Sequence, residues 1–288
     1  MDLHKTPEAR GRASYPGLRD RVRAGSEARA GDAEQHVAHT TRIRQRLDAL
    51  AGHDPLFRVN GLSAGYGNKE VLHGVDLRLG AGQLLCVIGP SGAGKSTLLH
   101  SIFGLADIRG GQIEIGGRNV TRLGPNAKLR DAGIACVLHD SSLFPDMTVE
   151  QNLCLGGYLR GRHSDAMRAT EQVFDRYPFL ASRRSEPSRA LGDGERRLVE
   201  ISRALVMRPR LLLVDESSAS LETAELDAIH AMLCELRDSE HLSVVMVESN
   251  AKRGLKVADI GCLVRAGEVA AVGTGAELLG DATIDLLS

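Results

Sequence analysis

The chain has 288 residues, of which 42% are hydrophobic and 25% charged, as in a globular protein with one large domain or two small ones. Its 36 basic and 37 acidic residues nearly balance, so we expect no nucleic-acid partner. No apolar run approaches the roughly 18 residues that a membrane span needs, and the opening MDLHKTPEARGRAS lacks the apolar core of a secretory signal. These features predict a cytoplasmic location.

Residues 1 to 52 differ in composition from the rest of the chain. They are rich in Arg, Ala and Gly and hold few large apolar side chains, which predicts a poorly ordered extension. Only HVAHTTRIRQRLDAL, from His36 to Leu50, has apolar residues near helical spacing, so one short helix is predicted there. The folded domain is predicted to occupy residues 53 to 288.

Strand-like and helix-like segments alternate from Leu56 onward. LFRVNGLSAGYG and VLHGVDLRL are typical of two paired strands, and DIGCLVRAGEVAAVG predicts a last hairpin that turns at Ala266-Gly267. Continuous apolar runs predict buried strands at 84–88, 134–138, 211–214 and 242–247. Helical segments such as ERRLVEISRALVM separate these runs. The alternation predicts an α/β fold around a mostly parallel sheet.

A glycine-rich loop lies between the run at 84–88 and a helical segment. It fits the phosphate-binding pattern G-x-x-x-x-G-K-[ST] in full. Glycines let backbone N–H groups turn towards phosphate oxygens, and the following helix directs its positive end at the same anion. Lys95 is expected to reach the β- and γ-phosphates of ATP, and the Ser96 hydroxyl to bind Mg²⁺. The predicted phosphate-binding residues are Gly89, Pro90, Ser91, Gly92, Ala93, Gly94, Lys95, Ser96 and Thr97.

Two adjacent carboxylates follow the buried run at 211–214. In α/β sheets, ligands bind at the carboxyl ends of the strands, so Asp215 and Glu216 should face the phosphate loop. Asp215 is expected to hold the Mg²⁺ shell, and Glu216 to act as the general base that polarises the attacking water.

These elements together resemble the ATP-binding subunits of ABC transporters, over nearly all of the chain from residue 56 onward. Tyr66 in SAGYG matches the aromatic residue that stacks on adenine in that family, and LFPDMTVEQNL matches the segment after the Q-loop. LGDGERRLVEISRAL stands where the family has its LSGGQ-like signature. The resemblance implies a P-loop ATPase of three parts: a mostly parallel core sheet, an antiparallel β subdomain and a helical subdomain at about 140–190.

A narrower resemblance connects the chain with one type of importer subunit. NLCLGGYLRG and VVMVESNAKRGLKVADIGCLVRAGEVAAVGTGAELL look like the subunits that serve branched-chain amino-acid and urea importers. The family's switch histidine is often replaced there, in a context similar to Val247-Glu248-Ser249-Asn250.

Several positions depart from the family pattern. His139 stands where the Q-loop has Gln or Glu, a position that the resemblance places with Ser96 and Asp215 around Mg²⁺. Ser249 replaces the switch histidine, and Ser217 replaces a usual proline.

The signature departs as well. Gly192-Asp193-Gly194 replaces a Ser-Gly-Gly sequence, which in the family clasps the γ-phosphate bound to the opposite subunit. Gly192 removes the hydroxyl, and a carboxylate at Asp193 about 4 Å from a phosphate would repel it by up to roughly 4 kcal/mol.

The resemblance implies that this chain binds ATP and Mg²⁺ and hydrolyses ATP to power transport. Its expected partners are a second ATP-binding subunit and transmembrane permease subunits, which would hold it at the inner face of the membrane. The departures favour slow turnover, and with it a heterodimer in which a competent partner supplies a normal signature.

Other classes of function remain open at this point. One is a DNA-repair or translation-linked ATPase, although such proteins usually carry a second cassette or a long coiled coil, and neither pattern is seen. Another is an ATP-gated structural subunit without productive hydrolysis, which the departures favour and the retained Glu216 opposes. A third class is a kinase or GTPase, but Tyr66 and the signature-like segment would have no role in such a protein.

Overall fold

The computed structural model describes Gln35 and residues 37–139, 142–215 and 221–281. The chain divides into two units, residues 1–42 and 43–288. In the first unit, residues 37–42 are helical, and the Thr41 hydroxyl donates to the Val37 carbonyl at 2.9 Å.

Ten strands and ten α-helices are described in the second unit. The strands are β1 Phe57–Tyr66, β2 Lys69–Leu79, β3 Leu84–Ile88, β4 Asp107–Ile115, β5 Arg118–Asn119, β6 Ile134–Val137, β7 Leu211–Val214, β8 Ser243–Val247, β9 Ile260–Arg265 and β10 Glu268–Gly273. The helices are α1 at residues 43–51, α2 Lys95–Phe103, α3 Pro125–Ala132, α4 Val149–Gly156, α5 His163–Arg176, α6 Pro178–Ser182, α7 Asp193–Leu205, α8 Thr223–Glu240, α9 Ala251–Val257 and α10 Gly275–Leu279.

The strands form two sheets. The first is antiparallel with the order β2-β1-β4-β5, and the second has the order β10-β9-β3-β8-β7-β6. In the second sheet β3 pairs in parallel with both β8 and β9, and only the β9–β10 hairpin is antiparallel. Helices α4, α5 and α6 fall in the range 149–182. The predicted fold class, a mostly parallel core sheet with an antiparallel sheet and helices, is therefore confirmed.

Strand β3 shows why a continuous apolar run forms the centre of the sheet. Successive side chains of a strand point to opposite faces. Leu84, Cys86 and Ile88 belong to one hydrophobic core, whereas Leu85 and Val87 belong to the other. All five are fully buried, because helices or the antiparallel sheet cover each face. None of the helices in the described ranges is long and apolar enough to cross a bilayer.

Helix α1 belongs to the folded unit, although the sequence predicted it only as part of a short helix, His36 to Leu50, within a poorly ordered extension. Ile43, Leu47 and Ala51 recur every fourth residue, and all three are buried in the core that contains β1. The unit therefore begins at Ile43 rather than near residue 53. The rest of the predicted extension lies almost wholly outside the described residues.

Two ion pairs join α1 to β2. Arg44 Nε donates to Asp76 Oδ2 at 2.8 Å, and Arg78 Nε donates to Asp48 Oδ1 at 3.2 Å. Asp76 is buried and also accepts the Gly61 amide at 3.0 Å. Because an unpaired buried charge is costly, the arginine that α1 supplies to Asp76 helps this helix to stabilise the antiparallel sheet.

Lys128 of α3 is fully buried and caps the end of α2. Its Nζ donates to the Ile102 carbonyl at 2.6 Å and to the Ser101 carbonyl at 3.3 Å, two groups of the last helical turn. Burial lowers the pKa of Lys128 to about 8.

This lowered pKa predicts a pH-dependent stability. Between pH 8 and 10 the unfolded chain binds a proton at Lys128 that the folded chain has lost, so the free energy of unfolding should rise with pH. We expect a rise of about 2 kcal/mol over this interval relative to Lys128→Met. Urea titrations of both proteins across this range measure it, and parallel pH profiles would contradict the burial of an ionisable lysine.

Candidate functional site

The phosphate loop joins β3 to α2 and requires its glycines. Gly89 has φ +150°, and a Cβ there would lie 2.1 Å from the Val264 carbonyl oxygen. Gly94 has φ +102°, and its Cβ would meet Leu72 Cδ2 at 3.0 Å. Larger residues would therefore displace the loop from β9 and β2, whereas glycines let the backbone turn towards a ligand.

The β9–β10 hairpin supports the back of this loop. The Gly267 amide donates to the Ala93 carbonyl at 2.9 Å, and the Gly267 carbonyl accepts from the His73 amide at 2.9 Å. Ala93 itself is buried in the core, so its side chain contributes packing. The hairpin turn that the sequence predicted thus connects the phosphate loop with β2.

A cavity of about 580 Å³ opens in front of the loop. It is lined by Tyr66, Lys69, Val71, Gly89, Pro90, Ser91, Gly92, Gly94, Lys95, Ser96, Thr97 and Ser249. The structure therefore brings together the predicted adenine-stacking residue, the predicted phosphate-binding side chains and the replaced switch position. Tyr66, the aromatic side chain of this cavity lining, is 43% exposed, which leaves ring surface for a base to stack on.

Lys95 and Ser96 lie at the start of α2. Lys95 Nζ donates to the carbonyls of Gly89 and Pro90, at 2.8 and 3.1 Å, and is held above the loop by these bonds. The Ser96 hydroxyl donates to Asp215 Oδ1 at 3.1 Å. Asp215 is 1% exposed and follows β7, so the sheet delivers its carboxylate to the loop as the sequence predicted.

Of the other predicted hydrolytic residues, the structure describes His139 but not Glu216 or Ser217. Pairing of β6 with β7 sets Val137 beside Val214, so His139 and Asp215 both follow the ends of neighbouring parallel strands. His139 is exposed there. Glu216, the predicted general base, and Ser217 lie outside the described residues.

His100 is a residue of this site that the sequence analysis missed. A hydrogen bond of 2.7 Å joins its Nδ1 to the Tyr66 hydroxyl, and its Nε2 lies 3.8 Å from Asp215 Oδ2. His100 stands four residues after Ser96, on the same face of α2. That spacing was the signal in the sequence that could have identified His100. Its two contacts place it between the predicted base-binding residue, Tyr66, and the predicted metal-binding residue, Asp215.

The signature residues lie at the beginning of α7. Gly192 is the N-cap, and its amide donates to Glu195 Oε2 at 3.1 Å. The Gly194 amide donates to Glu225 Oε1 at 3.2 Å. These amides therefore already have carboxylate partners within the chain.

The predicted repulsion at Asp193 is weaker than that of a lone carboxylate. Asp193 Oδ1 accepts a hydrogen bond from Arg196 Nη2, one turn further along α7. Both side chains are partly exposed, so solvent also screens the pair.

These residues fit a nucleotide with its metal ion. The glycine loop at a helix N-terminus, with an adjacent lysine, is a cradle for phosphate groups. A hydroxyl beside a carboxylate is the oxygen donor pair that Mg²⁺ takes in phosphate sites. Within the described part of the chain, no group of three or more His, Cys, Asp or Glu side chains is arranged to hold a metal ion.

Comparison with known proteins agrees with this geometry. The family model described as "ABC transporter" matches residues 72–219. A probable branched-chain amino acid transport ATP-binding protein, LivF of Archaeoglobus fulgidus, is 34% identical over 78% of this chain and 94% of its own. BraG of Pseudomonas aeruginosa, a high-affinity branched-chain amino acid transport ATP-binding protein, is 33% identical over 76% of this chain and 92% of its own.

Relatives with other cargoes are nearly as similar. UgpC 1 of Rhizobium johnstonii, an sn-glycerol-3-phosphate import ATP-binding protein, is 32% identical over 76% of this chain and 58% of its own. The crystal structure of a nucleotide-free ATP-binding cassette from an ABC transporter has the same fold, with a TM-score of 0.72 and 22% identity over 81% of this chain and 98% of that chain.

The chain belongs to the ABC transporter family, as one of its ATP-binding subunits. It is an ABC ATPase, and hydrolysis of ATP coupled to transport is the activity expected of it.

Proposed function

We propose that this chain powers an ABC importer for branched-chain amino acids, urea or a similar small solute. The ATPase part of this proposal rests on Lys95 and Ser96 at one cavity, and on Asp215, which accepts a hydrogen bond from Ser96. The cargo is supported by the names of LivF and BraG and by the motifs around residues 152–161 and 244–279. Because an sn-glycerol-3-phosphate import protein is nearly as similar, the cargo requires its own test.

The roles of the site residues follow from their positions. Lys95 exchanges its loop carbonyls for phosphate oxygens, while Tyr66 stacks against the base. Ser96, Asp215 and His139 are the candidates to hold Mg²⁺, which would neutralise charge on the phosphates. Glu216 is the candidate to accept a proton from the attacking water, because it follows Asp215 at the end of β7.

One face of the described unit suits the permease subunits that such proteins work with. A cavity of about 430 Å³ lies between α4, α7 and the segment at 142–144, and it is bordered by Phe144, Leu155 and Tyr158. Phe144 is 54% exposed and Tyr158 is 81% exposed. Exposed aromatic side chains around a groove are typical of protein interfaces, so we place the permease contact here. Closure of two ATP-bound subunits and their release after hydrolysis would then move the permease.

Binding and hydrolysis by the purified chain test the ATPase part. Lys95→Ala should weaken MgATP binding at least about a hundredfold, because a direct charge-assisted contact with phosphate is lost. Glu216→Gln should keep binding and lower turnover by at least about a hundredfold. Calorimetry and phosphate release measure the two effects. Equal affinity of Lys95→Ala and the natural chain would contradict the proposal, and transport assays with labelled amino acids or urea test the cargo.

A hydrolysis-impaired partner in a heterodimer is the second candidate. The observation in its favour is that carboxylates of Glu195 and Glu225 occupy the amides of Gly192 and Gly194. A γ-phosphate from the opposite subunit would have to displace them, and no hydroxyl at position 192 helps it to bind. In such a dimer, each ATP site is formed by the phosphate loop of one chain and the signature of the other. A partner with an ordinary signature would therefore restore one of the two sites.

A further inference from the structure

Two charged side chains of α7 are buried almost completely. Arg197 is 6% exposed and Glu200 is 3% exposed. They lie one turn apart, and Arg197 Nη1 donates to Glu200 Oε2 at 3.0 Å. Moving two charges out of water is costly, and their mutual attraction offsets this cost only when further hydrogen bonds satisfy the remaining atoms. The other partners of the pair therefore show what it holds in place.

Those partners are main-chain groups of two other segments. Arg197 Nη1 donates to the Leu138 carbonyl at 2.6 Å, and Nη2 donates to the Asp215 carbonyl at 2.6 Å. Glu200 Oε1 accepts from the Ser142 amide at 2.7 Å. One buried pair thus fixes the backbone after β6 and the backbone after β7.

A neighbouring arginine strengthens the same contact. Arg203, one turn beyond Glu200, donates to the Ser142 carbonyl at 2.8 Å and to the Ser142 hydroxyl. Ser142 is therefore held by its amide, its carbonyl and its side chain, all from α7. Leu138, which precedes His139, and Ser142 therefore both bond to side chains of α7.

We propose that Arg197 and Glu200 are positioning residues for ATP hydrolysis. They hold the main chain on both sides of His139 and the carbonyl that immediately precedes Glu216. The inference depends on the proposed ATPase function of the site. Because α7 begins at the signature residues 192–194, the same helix connects the surface that meets the opposite subunit with the hydrolytic segments of this chain.

Three variants test this role. Arg197→Met removes the cation that is hydrogen-bonded to the buried Glu200 carboxylate. The double variant Arg197→Met, Glu200→Met keeps the volume and removes both charges. Arg130→Met with Asp131→Leu is the matched control, because that pair is also formed by neighbouring residues of one helix but is largely exposed. Each protein is compared with the natural chain by thermal unfolding, by hydrogen exchange of the peptide that contains Ser142, and by MgATP turnover.

The single variant should lower the unfolding midpoint by roughly 10 °C, because the buried Glu200 carboxylate loses its hydrogen-bonded cation. The double variant should recover the midpoint to within a few degrees. It should nevertheless exchange the Ser142 amide about tenfold faster or more, since the hydrogen bond to Glu200 is gone. Its kcat should also fall at least about tenfold while the KM for MgATP changes less than about twofold. The control should match the natural chain in all three measurements.

The proposal would be overturned if the double variant matched the natural chain in the exchange rate of the Ser142 amide and in turnover as well as in stability. The pair would then only fill the core. A natural chain that neither binds nor hydrolyses ATP would contradict the proposed function instead. In that case the exchange of Ser142 still decides whether the pair holds this segment: unchanged protection in the double variant overturns it.

Discussion

Replacing Leu47 by Ala should destabilise the protein by about 3 kcal/mol, although Leu47 lies in a segment whose composition suggests disorder. Leu47 is 0% exposed and belongs to the same core as Phe57 and Leu98. Truncation removes buried methyl groups and leaves a cavity that the surrounding sheet and helices fill only in part. The unfolding midpoint should fall by roughly 6–12 °C.

Urea unfolding of the two proteins measures this difference. Val37→Ala is the matched control, since Val37 is 64% exposed and its truncation should change stability by less than about 0.5 kcal/mol. Equal effects at the two positions would show that α1 is not part of the core. A large effect at Leu47 alone would make α1 necessary for the antiparallel sheet, and shortened chains that begin at β1 should then be unstable.

Restoring the signature should raise ATP turnover on the order of a hundredfold, the usual contribution of one hydrogen-bond donor to transition-state charge. The change is Gly192→Ser combined with Asp193→Gly. A serine at the N-cap supplies the missing hydroxyl, and loss of Asp193 removes a carboxylate that Arg196 neutralises in part. Steady-state phosphate release at saturating MgATP is the measurement.

The same two changes in a Glu216→Gln background should not increase ATP turnover. This control separates turnover at this site from the activity of a contaminating ATPase. Gly192→Ser alone should give a smaller increase than the double change, because the carboxylate remains. Unchanged turnover in the double variant would mean that the signature departures do not limit hydrolysis. The heterodimer proposal would then lose its main support.

The strands of the core sheet were the most predictable part of the structure. Runs such as Leu84–Ile88 and Leu211–Val214 are apolar throughout, because both faces of a central parallel strand are buried, and their bounds agree with the sequence. The helix that contains α1 was predicted from its apolar spacing, but its burial was missed, because the segment around Ile43, Leu47 and Ala51 is rich in Arg and Ala and holds few large apolar side chains. Strand β4 was missed because its glycines weaken the alternating pattern.

The candidate site likewise has residues that could be predicted from the sequence and residues that could not. The phosphate loop and Asp215 were predictable because their spacing and flanking strands are local in sequence. His100 and the buried pair of Arg197 and Glu200 were not, since their partners lie 34 to 115 residues away or on the main chain. A sequence pattern carries no direct signal for a side chain that binds a distant carbonyl.

The position of β3 in the sheet has a consequence for synthesis of the protein on the ribosome. Both neighbours of β3, β8 and β9, come more than 150 residues later in the chain. At usual rates of translation, roughly ten to thirty seconds pass before β8 is made, and during this time LLCVI has neither of its strand partners. The nascent chain thus carries an unpaired apolar strand, which favours aggregation or chaperone binding. Pulse-labelled nascent chains that end before residue 243 should therefore be more sensitive to protease in this strand than chains that extend beyond residue 265.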